Sequence, residues 1–544
     1  MTEDGAGSST SASGGTDGGT GEPTPETREA LVTIAHGSVV TAGGFSVQRV
    51  LVLATEFVLA RALGPVVYGV YALGWRVGQL VGRFAPFGAV PTLQRYVPAD
   101  ADAPARRGAM VGLAYATTLA VGSLLGAGLF LAAGWIDAHT LEHPLLPPTL
   151  RMFAVLVVVT GLVRVHAAVL RAVGSANGSV LFNQVLYPGA RLAAVGVALA
   201  LGYTVVGVVG AIALAVGLLA LLGLRAVVGV SGIRPSVRGW RAELRRYLNH
   251  AVPVTASGLG KVFQNRLDIL LVGVLLSASA TGVYGAVLVL VAVAWLPLIS
   301  FNKLMPHVAS DLYDRGAVPT LNAVYTAVTR LVVTAVVPLV AVQLVYGRAL
   351  LGLFGPAYVA GYAPLAIYLG GVFVGSAVGA TGWHLLLTDH QYARMVLDWL
   401  LAVSNLVLSY LFVVRFGLAG AALGTSLSLA VQNGVQALLL RRFEGLWPFD
   451  RTFALPVVAG GCMALAMATV RAVLGGAVPG GAGGTVLGGP VGIALGIVVG
   501  GAVYLGVLRG LGVPAADRLV VRELTARYRG DLGTLLGRLD AYRG

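Results

Sequence analysis

The sequence predicts an all-α polytopic membrane protein of about fourteen transmembrane helices, built as two parallel six-helix bundles plus two C-terminal helices. Its 544 residues are 57% hydrophobic and 11% charged, whereas roughly 25% of the residues of an ordinary globular protein are charged. With a mean hydropathy of +0.83, too few polar side chains remain to cover a surface exposed to water. The 76 glycines follow no triplet repeat, and Cys462 is the only cysteine. Soluble, collagen-like and disulfide-rich classes of protein are therefore excluded.

Apolar stretches of about 20 residues or more, each long enough to cross ~30 Å of hydrocarbon, recur fourteen times along the chain. They cover 33–60, 66–90, 108–134, 149–172, 179–201, 204–228, 246–276, 281–302, 320–346, 362–387, 391–414, 417–440, 452–474 and 486–508. Residues 1–31 lack the apolar core of a signal peptide and predict a disordered cytoplasmic tail. Residues 510–544 place leucines on one helical face, which predicts an amphipathic helix on the inner leaflet or a solvated helix.

The distribution of basic residues predicts the orientation of these helices. With the N-terminus inside, sixteen Arg or Lys residues fall in or beside the cytoplasmic connections. The outer connections hold four: Arg61, Arg348, Arg415 and Arg471. Because cytoplasmic loops retain Arg and Lys, we predict that both termini lie inside, in the plasma membrane of a prokaryote. The net charge of +14 has the same origin and indicates no nucleic-acid partner.

An internal repeat divides the chain. Three motifs return in the same order at offsets of 210–214 residues: Val40-Thr41-Ala42 as Val254-Thr255-Ala256, Gly69-Val70-Tyr71 as Gly282-Val283-Tyr284, and, in pattern, Gly207–Ala211 as Gly417–Ala421. Each copy holds an even number of spans, so the halves run parallel about an axis along the membrane normal. The predicted divisions are a tail (1–31), a first bundle (32–228), a basic cytoplasmic connection (229–246), a second bundle (247–441), extra helices 13 and 14 (442–509) and a cytoplasmic tail (510–544).

Charged side chains within the apolar spans are the candidate functional residues, because a charge at mid-bilayer costs ~2.5–3.5 kcal/mol and needs a partner or a wet cavity. Cations in spans 1, 2 and 7 predict a substrate-binding cleft between the halves: Arg49, Arg76, Lys261 and Arg266. Carboxylates in spans 1, 7 and 11 are candidates for gating or ion coupling: Glu56, Asp268 and Asp398. For Glu56 and Asp268, a buried ion pair without a transport role is the alternative. Cations nearer span ends are interpreted as snorkelling or structural: Arg83, Arg151, Arg164 and Arg330.

Signatures of enzymes are missing from the sequence. Gly258-Leu259-Gly260-Lys261 resembles a phosphate-binding loop only in part, because Thr255 replaces its first glycine and Val262 its hydroxyl residue. The eight histidines do not cluster, and the connections between spans are too short to hold a catalytic domain. We therefore predict a transporter with no catalytic residue, no metal site and no cofactor, although coupling to protons or sodium is left open.

Four motifs carry a resemblance to a known family. They are Leu63–Leu73, which resembles the family pattern "lGp..yG.yal"; Arg266–Leu271 followed by Gly282-Val283-Tyr284, which resembles "r.D.llig…vGiY"; Gly355–Tyr358, which resembles "fG..y"; and Gly417–Thr425, which resembles "G..GaalgT". Between about residues 35 and 440 the chain thus resembles the polysaccharide flippases of the multidrug/oligosaccharidyl-lipid/polysaccharide exporter superfamily.

The resemblance implies a flippase that moves polyprenyl-(pyro)phosphate-linked oligosaccharides from the inner to the outer leaflet by alternating access. Its partners would be the lipid-linked glycan, membrane lipids and the glycosyltransferases or polymerase of a surface-glycan pathway. A cation-coupled exporter of small molecules is the alternative within the superfamily. A membrane-embedded polysaccharide polymerase is the alternative from a different class, although the outer connections are short and nearly uncharged.

Overall fold

The structure, a computed structural model, describes residues 25–236, 238–262, 267–302, 305–379, 381–387, 390–475, 490–512, 514, 515, 517, 518 and 522. Its α-helices are α1 (Pro25–Gly82), α2 (Ala89–Ala99), α3 (Pro104–Ala138), α4 (Leu146–Ala172), α5 (Ala176–Val180), α6 (Tyr187–Ala200), α7 (Val205–Ser231), α8 (Trp240–Val262), α9 (Leu267–Leu275), α10 (Ala278–Ala294), α11 (Leu296–Asn302), α12 (Met305–Asp314), α13 (Val318–Phe354), α14 (Tyr362–Ala377), α15 (Thr381–Leu387), α16 (Gln391–Phe416), α17 (Leu418–Glu444), α18 (Ala454–Gly475) and α19 (Pro490–Leu511). A π-helix (Leu181–Leu186) joins α5 to α6, and 3₁₀ turns occupy Pro356–Gly361 and Arg451–Phe453.

The prediction of an all-α membrane protein is confirmed. The described residues form helices and turns without a β-strand. Each of the fourteen predicted spans is mainly helical in its described part, although turns at 83–88 interrupt span 66–90. Nine described helices are long and apolar enough to cross a membrane alone, or ten when α10 and α11, bent by 50°, count as one span. The other predicted spans lie in helices that are broken, merged or more polar, such as α8 with α9.

Two predicted spans merge into α1, which bends at Gly64. This glycine has φ 71° and is followed by Pro65, so one residue adopts a left-handed conformation that disfavours a side chain and the next lacks an N–H. Tyr68 donates a hydrogen bond to Glu56 across the bend, with 3.0 Å between the oxygens. Twelve residues of straight helix would span ~18 Å, so the two arms of α1 must fold towards each other.

The two predicted halves meet where α1 crosses α10. A Cβ atom on Gly69 would lie 2.9 Å from the amide nitrogen of Gly282, and one on Gly282 would lie 3.0 Å from the amide nitrogen of Gly69. These glycines are the equivalent residues of the sequence repeat. Only glycine permits this approach of the two backbones. Each glycine thus lies against the backbone of the other helix. Such a reciprocal contact is expected where an axis relates the two halves.

The helices beyond the second half pack on α13. Tyr504 of α19 donates to the Thr334 carbonyl (2.9 Å), and Tyr346 of α13 donates to the Met467 carbonyl of α18 (3.3 Å). Arg330 of α13 forms salt bridges with Asp517 beyond α19 (2.7 Å) and with Asp450 before α18 (3.0 Å). Arg330 therefore has the structural role that the sequence suggested for it.

The sequence does not predict α2, nor the contact between α2 and the start of α8. Helix α2 is a short element between predicted spans 2 and 3, and α8 begins against it: Arg246 pairs with Asp100 at 2.8 Å. The buried Tyr247 shares a hydrogen bond with Thr117 of α3 (2.8 Å). The start of α8, which lies in the predicted connection 229–246, is thus held by α2 and α3 of the first half.

Candidate functional site: a cationic cavity beside the α1 bend

A cavity of about 390 Å³ lies between both arms of α1, α4, the π-helix with α6, and α10. Its volume falls within the range of roughly 300–1,000 Å³ that is typical of small-ligand sites. Its polar lining residues are Gln48, Arg49, Glu56, Tyr68, Trp75, Arg76, Gln79, Thr160, Arg164, Asn183, Tyr187 and Arg191. The wall from α9 and α10 is apolar, with Ile269, Gly285 and Leu288 among its residues. All described charges of the cavity therefore come from the first half.

Arg191 and Glu56 form a buried ion pair in this cavity. Arg191 is 3% exposed, and its Nη2 lies 2.6 Å from Oε1 of Glu56. The same nitrogen donates to the Tyr71 hydroxyl, while the guanidinium stacks 3.8 Å from the Trp75 ring centroid. Tyr68 donates to the second carboxylate oxygen. Because a buried ion pair requires further hydrogen bonds to offset desolvation, these aromatic residues explain how α1 and α6 retain the pair.

The other three described cations line the same cavity. Arg164 of α4 donates to the Gly82 carbonyl (3.3 Å), and Arg76 donates to the Gln79 amide oxygen (3.3 Å). Arg49 lies on the first arm of α1. Four guanidinium groups against one carboxylate leave three net positive charges among the described lining residues. Such a cavity is suited to an anion, because guanidinium groups bind phosphate oxygens through paired N–H donors.

A second cavity of about 230 Å³ adjoins the first and also contacts Arg49 and Ala292. It lies between α10 and α11 on one side and α14, α16 and α17 on the other. Its remaining lining residues are Trp295, Ile299, Tyr368, Leu401, Ala402, Asn405, Thr425 and Leu429. The two cavities share Arg49 and Ala292 as lining residues, so they lie side by side. Together they contact both predicted halves, and we refer to the pair as the vestibule.

The predicted site residues have different positions in the structure. Arg49, Arg76 and Glu56 line the first cavity together. Glu56 follows Arg49 by two helical turns in the sequence, but the described cation that contacts Glu56 is Arg191. The side chains of Lys261 and Arg266 lie outside the described residues.

The two other predicted carboxylates lie away from the described cavity lining. Asp268 is fully buried, where it accepts from Tyr284 (2.8 Å) and from the amide of Ile269 (2.9 Å). Asp398 of α16 accepts from Arg394 and Gln432, both at 3.0 Å. Asp268 is nevertheless the repeat equivalent of Glu56, and Tyr284 that of Tyr71. The second half therefore retains the buried carboxylate and tyrosine, while Arg191 is particular to the first half among these described groups.

Sequence reasoning missed Arg164 and Arg191 as cavity residues. The sequence predicts a snorkelling or structural role for Arg164 and no role for Arg191. Arg191 stands near the middle of predicted span 179–201, at a depth where an unpaired charge is most costly. Depth alone could therefore have identified it. Arg164 stands two-thirds of the way along its span, where depth does not distinguish a cavity from a snorkelling side chain.

Metal-binding groups are not found in the described part of the chain: no three His, Cys, Asp or Glu side chains come close enough to hold an ion. The fold and the vestibule define a multi-pass membrane protein of transporter architecture with an anion-suited cavity. The family model for polysaccharide biosynthesis proteins matches residues 58–358, more than half of the chain. The chain belongs to that family. No curated protein gives a significant match to it.

Solved structures share the fold at low sequence identity. The lipid II flippase MurJ in an inward closed conformation aligns with a TM-score of 0.64 and 12% identity over 86% of this chain and 98% of that one. A multidrug resistance MATE family transporter of the MOP superfamily, inward-facing, gives 0.60 and 17% over 73% and 94%. A MOP superfamily transporter from Pyrococcus furiosus gives 0.50 and 17% over 78% and 99%. The resemblance that the sequence motifs suggested is confirmed.

Proposed function

We propose that the protein is a flippase that moves polyprenyl-(pyro)phosphate-linked oligosaccharides from the inner to the outer leaflet. The observation that carries this proposal is the first cavity, where Arg49, Arg76, Arg164 and Arg191 surround a single described carboxylate. A phosphate or pyrophosphate headgroup offers oxygens that guanidinium groups bind through paired N–H donors. Membership of the polysaccharide biosynthesis family supports a glycan as cargo, and the fold is shared with a lipid II flippase. Lys261 and Arg266 are proposed to add to this site.

Contacts between the halves close one end of the vestibule. At the end that holds Gly64, Tyr358 donates to the Ala60 carbonyl (2.8 Å) and Arg61 to the Leu353 carbonyl (3.1 Å). The crossing of α1 and α10 closes the same end. With both termini inside, this closed end faces outward. At the other end α8 contacts α2 and α3, so we propose that entry from the inner leaflet requires those contacts to part. Alternating access would then break the closed end and form a matching seal at the other.

The membrane potential supplies a driving force for this direction. With the inside negative, outward movement of one negative charge releases ~2.3 kcal/mol per 100 mV. Nucleotide hydrolysis is therefore not required, and a proton or sodium ion at Glu56, Asp268 or Asp398 is an additional proposed source of coupling. The protein would act in the plasma membrane of a prokaryote, beside glycosyltransferases or a polymerase that make and consume its cargo for surface polysaccharide or glycoprotein glycans.

The test is transport by the purified protein in liposomes loaded with a lipid-linked oligosaccharide. Arg164→Ala and Arg76→Ala should lower the initial rate roughly tenfold to a hundredfold, because each removes a charge-assisted hydrogen bond worth ~1.5–3 kcal/mol. Arg49→Ala, Lys261→Ala and Arg266→Ala should behave alike. Arg151→Ala is the matched control, because Arg151 lies on α4 like Arg164 but stacks on Phe130 outside the cavity. Normal transport by every cavity variant would disprove the proposal.

The two alternatives make different predictions in the same liposomes. A cation-coupled exporter of small molecules would move a cationic dye, yet the net positive charge of the first cavity opposes such a ligand. A polymerase would lengthen the glycan instead of moving it. Product analysis of the reaction therefore separates all three activities.

A further inference from the structure

The second cavity differs in chemistry from the first. Apart from Arg49 at the boundary, its described lining residues carry no formal charge. Aromatic faces come from Trp295 and Tyr368, and neutral polar groups come from Asn405 and Thr425. A site for phosphate would place cations here, as the first cavity does. The second cavity therefore suits a neutral ligand that is rich in hydroxyl groups.

The polar groups of the second cavity are held in place but are not fully used. Asn405 of α16 donates one amide N–H to the Thr425 hydroxyl of α17 at 3.2 Å. Its second N–H and its carbonyl oxygen make no hydrogen bond to the described residues, and neither does the Thr425 O–H. An amide with a remaining N–H and a carbonyl oxygen can donate a hydrogen bond to one sugar hydroxyl and accept one from its neighbour. The cavity therefore offers paired hydrogen bonds at fixed positions.

Trp295 stands at the 50° bend between α10 and α11. A Cβ atom on Gly375 of α14 would lie 2.8 Å from its ring, so the missing side chain at Gly375 lets the indole lie against α14. A ring fixed in this way presents a flat apolar face with little freedom to lose on binding. The C–H face of a pyranose ring matches such a surface, while the hydroxyl groups of the sugar match Asn405 and Thr425.

We propose that the second cavity is a sugar subsite, which binds the first sugars of the glycan while the first cavity binds the phosphate groups of the same lipid. This inference rests on the proposed function, since it assigns two parts of one substrate to two adjoining cavities. Arg49 contacts both cavities and thus stands at the phosphate–sugar junction.

Two adjoining cavities would let the protein distinguish a glycosylated lipid from the bare carrier lipid. A glycosylated lipid contacts both cavities, whereas the bare polyprenyl pyrophosphate contacts the first cavity alone. Binding energy that spans the two halves can stabilise their closure around the cargo. The bare lipid then binds less tightly and moves more slowly, so the protein distinguishes loaded from empty carriers without reading the whole glycan.

The test compares matched probes on the full-length protein in nanodiscs. The probes are farnesyl pyrophosphate and its glucosyl, galactosyl and N-acetylglucosaminyl derivatives. At least one sugar-bearing probe should bind the wild-type protein about tenfold more tightly than farnesyl pyrophosphate, as one or two net hydrogen bonds predict. Asn405→Leu and Thr425→Val should remove this preference and leave the affinity for farnesyl pyrophosphate within about twofold. Tyr410→Leu, an exposed change on the same helix, should alter neither.

The outcomes separate this inference from the proposed function. If the wild-type protein binds no pyrophosphate probe, the flippase proposal itself fails. If it binds all probes equally, or if the variants weaken all probes by the same factor, the sugar subsite is disproved while the cationic site stands. Loss of the sugar preference alone in both variants supports the subsite.

Discussion

At the scale of single residues, the first cavity depends on a charged pair that is held by aromatic neighbours. Arg191 contacts Glu56, Tyr71 and Trp75 at once. Removing one member of such a pair leaves an uncompensated charge, which is more damaging than removing both. The pair also fixes the position of Glu56, which would otherwise be a free acceptor beside the proposed phosphate site.

We expect Arg191→Met to lower the free energy of unfolding by about 3–5 kcal/mol, because Glu56 would retain only the Tyr68 hydrogen bond among its described partners. Glu56→Gln in the same chain should restore part of this loss. Denaturant unfolding of the purified single and double variants measures the coupling. Strictly additive effects of the two substitutions would show that the pair is not coupled, whatever its geometry.

Sequence reasoning located some of these residues and missed others for a physical reason. Arg49, Arg76 and Glu56 were identified because charge in an apolar span is costly. That cost does not reveal which charges meet. Its described partner is Arg191, 135 residues away, and only the packing of α6 against α1 brings the two together.

At the scale of elements, repeat-equivalent helices perform equivalent tasks. The second arm of α1 and α10 cross at Gly69 and Gly282, and the contacts involve backbone atoms on both sides. Periodicity and length predicted the spans well, because each needs about 20 apolar residues. They also predicted a break between residues 60 and 66, where α1 bends at Gly64. They did not predict the π-helix or α2, because these depend on local backbone conformation and on short segments with weak patterns.

We expect Gly69→Val to weaken the closed end of the vestibule, since its side chain would meet the backbone of α10 and no rotamer could avoid it. A cysteine at Ala72, a cavity residue, should then react several times faster with an impermeant maleimide added from outside. All variants in this experiment also carry Cys462→Ser, which removes the single native cysteine. Gly128→Val is the control, because a Cβ on Gly128 meets no atom within 4 Å. Unchanged labelling in Gly69→Val would show that this crossing is not the outer seal.

At the scale of the whole molecule, the position of α3 relates the vestibule to the two membrane faces. Helix α3 has 35 residues, so it is ~50 Å long and exceeds the ~30 Å hydrocarbon layer. Its start is bonded to the connection between the halves, where Ser236 donates to the Gly108 carbonyl (3.0 Å). His139 follows its other end. We therefore expect residues 139 and 238 to lie on opposite faces of the membrane.

The direction of transport follows from which of these faces is outside. Because the predicted cytoplasmic connections hold most of the basic residues, we expect a cysteine at His139 to be labelled in intact cells and one at Arg238 only after permeabilisation, both in the Cys462→Ser background. An impermeant maleimide with a mass shift on gels provides the measurement. The reverse pattern would place the closed end of the vestibule inside. Loading from the inner leaflet would then be impossible in this conformation, and the membrane potential would oppose the proposed movement of the anion.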